Sequence, residues 1–186
     1  MNLTTRLFLW LEEKVKSGFV VDSLSIFLLF TVLLLPNMSE SLTEMTGVTT
    51  SPDTSFLYSA DELYTMAEEY GESGRAYYIM QKYTFDILWP VIYLLFFLVL
   101  LTCIYRSPGV RRFAYPVKLL PVYAFSFDIL ENIAASVVMY RYPQPTVVLA
   151  QATPLFTIAK WLLIGLSAFA VAAGLMSYLR RKLSEK

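Results

Sequence analysis

Four apolar runs, each close to the length that crosses a bilayer, constrain this chain more than any other feature. A hydrocarbon core about 30 Å thick needs about 20 helical residues. The runs are Phe19 to Pro36, Phe85 to Tyr105, Val117 to Tyr140, and Pro154 to about Tyr178. Lipid offers backbone groups no partner, so each run must satisfy its own hydrogen bonds as a helix. Composition agrees: 56% of the 186 residues are hydrophobic and 16% charged, above the roughly 45–50% apolar content of soluble domains. The expected fold is all-α: one polytopic membrane domain, residues 1–186, with four transmembrane helices in a bundle.

Lysine and arginine mark the cytoplasmic side of such a protein. Arg106, Arg111 and Arg112 lie between the second and third runs with Lys118 at the edge of the third, and Arg180, Arg181, Lys182 and Lys186 follow the fourth. The loop 37–84 carries Glu40, Glu44, Asp53, Asp61, Glu62, Glu68, Glu69 and Glu72 against Arg75 and Lys82, and 141–153 carries Arg141 alone. These patterns predict a multi-pass cell-membrane protein with both termini cytoplasmic and the two acidic or neutral loops outside. The first run resembles a signal peptide in position, but Glu12 and Glu13 precede it and no small-x-small cleavage site follows, so it reads as a retained helix. The leading segment RLFLWLEEKVKSGF suits either an interfacial helix or an extension of the first span.

Within the outer loop, residues 37–57 lack periodicity and read as irregular. After Ser59 the pattern becomes helical, with Asp61 and Glu62 in the first turn and Leu63, Met66, Ala67 and Tyr70 recurring at helical spacing. Gly71 and Gly74 are expected to interrupt it before a second helix enters the membrane. Thr153 before Pro154 reads as an N-cap with proline at the first helical position.

Several function classes fall away. Fifteen basic and fifteen acidic residues give no global field, which leaves a nucleic-acid partner without electrostatic support. The chain has no histidine, which excludes His-based zinc sites, bis-imidazole haem and a Ser-His-Asp triad. Its single cysteine, Cys103, excludes an intrachain disulfide. No cofactor or metal is expected, and the expected partners are membrane lipids.

Against that apolar background, FDILENI in the third run stands apart. Asp128, Glu131 and Asn132 share one helix face, which Ala124 and Ala135 extend with small residues. A carboxylate near the bilayer centre costs about 2.5–3.5 kcal/mol on insertion scales, so each acid must be protonated, paired or hydrated. Lys160 in the fourth run offers a partner, with Thr157 on its face. Counted at about 1.5 Å per residue, Lys160 lies about 9 Å from Pro154, and Glu131 and Asp128 about 13 and 18 Å from Tyr140. Asp86 and Tyr93 enter from the same side, and Pro90 frees the Asp86 carbonyl from its helical bond. Two acids beside one lysine leave a carboxylate over, with Asp86 adding to the surplus unless Arg75 absorbs it. The aromatic set Tyr77, Tyr78, Tyr83, Phe85 and Trp89 reads as an outer interfacial belt. Ser167, Ala168, Ala172 and Gly174 read as a packing surface.

Taken in order, AEEYGESGRAYYI, FDILWPVIY, FDILENI, Tyr142-Pro143 and FTIAKW resemble a family of small four-span bacterial membrane proteins of uncharacterised activity. The likeness runs from about Tyr64 to Arg181. It implies a four-helix fold and a common motif set: Tyr70, Gly71, Gly74, Arg75, Tyr78, Asp86, Pro90, Tyr93, Asp128, Glu131, Asn132, Thr157 and Lys160. It implies no activity.

Three readings stay open. The first is a binding or transport protein whose outer polar pocket takes a cation, a proton or a small amphipathic ligand, with transport calling for a homo-oligomer because four helices are few for alternating access. The second is an intramembrane enzyme in which Asp128 or Glu131 acts as acid or base on a lipid or isoprenoid. The third is an assembly subunit held by structural ion pairs.

Overall fold

The computed structural model describes residues 3–52, 55–106 and 110–184. Asp53 and Lys186, counted above for topology, lie outside the described residues, as does the side chain of Arg111. The helices are α1 (Leu3–Lys14), α2 (Gly18–Thr46), α3 (Ala60–Glu69), α4 (Gly71–Tyr83), α5 (Phe85–Tyr105), α6 (Ala114–Arg141) and α7 (Val147–Ser184), and the described residues include no strand. α2, α4 with α5, α6 and α7 are each long and apolar enough to cross a membrane.

Three expectations about element ends are corrected. Residues 37–46 are not irregular, because α2 continues past Pro36 to a left-handed cap at Gly47, φ 72°. Proline lacks an N–H and its ring crowds the carbonyl four residues back; a π turn over Phe30–Leu34 just before Pro36 widens the helix there, and Asn37 Nδ2 donates to the Leu33 carbonyl. Gly71, φ 62°, makes the turn between α3 and α4, but Gly74 lies inside α4. A Cβ at Gly74 would sit 2.7 Å from Thr46 Cγ2, so this glycine lets α4 approach α2. α7 begins at Val147 and runs through Pro154, and Thr153 donates its hydroxyl to the Leu149 carbonyl (2.7 Å) rather than capping a start. A long apolar helix can absorb an internal proline because neighbouring groups compensate for the lost bond.

α1 is a separate helix, not an extension of the first span. Arg106 Nη2 donates to the carbonyls of Glu12 and Val15, both 2.7 Å, placing a cation at its C-terminal end. α3 opens with a capping box: Ser59 Oγ accepts the Glu62 N–H, and the Ser59 N–H and hydroxyl donate to Glu62 Oε2 (2.7 and 2.9 Å). Those bonds hold the Glu62 carboxyl below its ordinary value, the backbone N–H contributing most.

α6 lies at the centre and forms its most extensive pairing with α7, then with α5. α2 is the most exposed of the long helices and rests on α5 through Phe27, Phe30, Trp89 and Phe96, with ring centroids 4.4–5.8 Å apart. One apolar cluster gathers Leu63, Ala67, Tyr78, Val138 and Met139 at the end carrying α3, and another gathers Leu101, Tyr105, Ala124 and Ala170 towards the opposite end. Tyr78 is therefore core and not part of an aromatic belt. The small-residue face of α7 is Ser167, Ala170 and Gly174; Ala168 and Ala172 point away, because burial follows three- and four-residue steps. A Cβ at Gly174 would collide with Ile104 Cγ2 on α5.

Candidate functional site

Between the two apolar clusters α6 presents Asp128, Glu131 and Asn132, each no more than 3% exposed. Lys160 of α7, 5% exposed, meets both acids: its Nζ lies 2.6 Å from Glu131 Oε2 and 3.7 Å from Asp128 Oδ1. Tyr93 of α5 donates its hydroxyl to the other Asp128 oxygen, 3.2 Å. Glu131 lies about 15 Å along α6 from Arg141 and Lys160 about 20 Å along α7 from Val147. α7 starts seven residues before Pro154, so the roughly 9 Å expected for Lys160 is too short.

Pro90 shapes the next contact. Without an N–H at residue 90 the Asp86 carbonyl has no helical donor, and Asn132 Nδ2 supplies one at 3.1 Å. That bond fixes the amide's orientation, so Asn132 Oδ1 faces the other way. The Asp86 carboxylate pairs with Lys82 Nζ at 2.9 Å, and Lys82, 1% exposed in its side chain, lies 5.0 Å from the Tyr78 ring centroid. Asp86 is thus matched by Lys82 and not by Arg75. The turn at Gly71 aims Arg75 back at α3, where Nη1 donates to the Ala67 carbonyl (2.8 Å) and the guanidinium stacks 4.9 Å from the Tyr142 ring.

Thr157 lies one turn before Lys160, donates to the Thr153 carbonyl (3.1 Å) and shares a 3.0 Å hydrogen bond with the Tyr58 hydroxyl. Tyr58 comes from the segment before α3, and nearby Phe56 packs at a tilt on Trp161, centroids 5.0 Å apart. The structure brings Asp86, Tyr93, Asp128, Glu131, Asn132 and Lys160 into one connected group, seats Thr157 and Tyr78 at its borders, and leaves Arg75 outside.

Lys82, Tyr58 and Ser136 were missed. The i, i+4 spacing of Lys82 and Asp86 was the available signal for the first. Ser136 continues the Asn132 face by one turn, and nothing in the sequence foretold Tyr58. Among the described residues, three carboxylates here face two lysines. Glu131 Oε1, Asn132 Oδ1 and Ser136 Oγ are buried with no hydrogen-bond partner among the described residues. An arrangement of this charge and acceptor content can hold a cation, a proton or a donor-bearing head group. No protein-family model matches the chain, and no curated protein or solved structure matches it either.

Proposed function

We propose that this is a four-span membrane protein, both termini cytoplasmic, whose buried polar cluster lies in the outer half of the bundle and takes up a cation, a proton or a small amphipathic ligand with a donor-bearing head. One observation carries the reading: among the described residues, acceptor oxygens on Glu131 and Asn132 are buried without donors in a cluster that has one carboxylate more than its lysines. Each unsatisfied buried acceptor costs about 1–3 kcal/mol. A positive or donating ligand removes that cost and the excess charge together, which a closed structural pair has no need to do. If the cluster transports its ligand, a second copy of the chain completes the path.

The 2.6 Å contact between Lys160 and Glu131 favours the rival reading, a pair that only fixes how α6 packs on α7. Native mass spectrometry of the full chain, released gently from membranes, separates the two. The binding reading expects a copurifying ion, amine or lipid that is retained by wild type and lost in Asp128→Asn with Glu131→Gln. Identical spectra for wild type and the double variant would leave only the structural pair.

A further inference from the structure

At the opposite end of the bundle a second site lies between α1 and the start of α6. A cavity of about 230 Å³ is lined by Phe8, Leu9, Glu12, Arg112, Tyr115 and Lys118. That is several times the ~30 Å³ share of one liquid water. Lys118, 1% exposed, lies 2.7 Å from Glu12 Oε1 and 5.7 Å from the Phe8 ring centroid, so the single acid of the lining is already engaged. Arg112 rests over the Phe113 ring at 4.6 Å and meets no carboxylate among the described residues. The lining therefore carries one positive charge in excess. Its rim is apolar: Leu9 and Tyr115 are each more than two-fifths exposed.

We propose that this cavity binds the phosphate group of an anionic membrane phospholipid, with Arg112 as the principal ligand, Lys118 as the supporting charge and the acyl chains lying along the apolar rim. Arginine suits phosphate because its guanidinium forks onto two oxygens at once. The position suits a lipid because α6 begins at Ala114, so the cavity stands where a spanning helix leaves the hydrocarbon and head groups gather. A soluble anion would gain from the charge but not from the rim. The inference rests on the membrane placement of the four helices and not on the polar cluster at the other end.

The test uses the full chain in a neutral detergent, with phosphatidylglycerol, phosphatidylcholine and glycerol phosphate as probes, and native mass spectrometry and thermal unfolding as readouts. Phosphatidylglycerol is expected to be retained and to raise Tm, while phosphatidylcholine is not retained. Arg112 is exposed, so Arg112→Ala should fold normally and weaken phosphatidylglycerol retention by about tenfold or more, as losing a charge-assisted bond implies. Arg141→Ala, at the far end, should leave retention unchanged. Equal retention of phosphatidylcholine, unchanged retention in Arg112→Ala, or equal protection by glycerol phosphate would each overturn the lipid assignment.

Discussion

Asn132 answers a need created by Pro90. The proline strips the Asp86 carbonyl of its helical donor, and the amide on the neighbouring helix replaces it. Asn132→Leu should therefore cost about 1–3 kcal/mol, the penalty for orphaning a buried acceptor. In a Pro90→Ala background residue 90 regains its N–H and the same change should cost measurably less, a coupling that a double-mutant cycle in urea unfolding would read. Lys160→Met should cost up to about 3–5 kcal/mol, because it strands Glu131 and Asp128 in the interior. Glu131→Gln added to Lys160→Met should recover part of that loss in the same measurement. At this scale much was legible: the spacing of FDILENI set three polar groups on one face, and a lone lysine in an apolar run had to meet them. Arg75 misled because its partner is set by the turn at Gly71, and the sequence does not say where a turn will aim a long side chain. Lys82 was hidden by its place in a loop count, although its spacing to Asp86 was on view.

Helix ends were read less well than helix existence, and proline was the reason. Pro36 and Pro154 were both taken as boundaries, yet α2 passes the first through a π turn and α7 passes the second unbroken. A proline forbids one hydrogen bond, and a long apolar helix with neighbours can do without one. Glycine was read the other way about, since Gly74 breaks nothing and instead admits a close neighbour. Gly174 does the same for α7 against α5. Gly174→Val should push these helices apart and cost about 1–3 kcal/mol by overpacking, and Ile104→Ala should relieve it, as thermal unfolding of the single and double variants would show. The capping box of α3 was legible because its residues are local. Glu62 has a lowered folded pKa, so its contribution is present above the unfolded value and lost as pH falls through the folded one. The protection of amides in the first turn of α3, measured against their intrinsic exchange rates at each pH, should fall on acidification in wild type, and Glu62→Gln should remove that dependence.

The whole molecule joins two ends of different character. At one, α3, α4 and the Tyr58 segment stand above the polar cluster; at the other, α1 and the basic turn before α6 surround the second cavity. The proposed orientation puts the first end outside. Cysteine introduced at Ser55 should react with an impermeant reagent in intact cells and cysteine at Ser184 should not; the reverse pattern would invert the topology. The central claim is that the cluster takes up positive charge, and Asp128→Asn addresses it because it removes one carboxylate while leaving the Lys160 to Glu131 contact in place. The direct measurement is thermal unfolding of the full chain across sodium, potassium, small primary ammonium salts and pH, at constant ionic strength, for wild type and Asp128→Asn. A bound species at a hundredfold excess over its Kd stabilises by about 2.7 kcal/mol, roughly 5–10 °C for a chain of this size. The account predicts a saturable rise of that order in wild type for at least one of these species, absent in Asp128→Asn. Identical responses in the two proteins would contradict it.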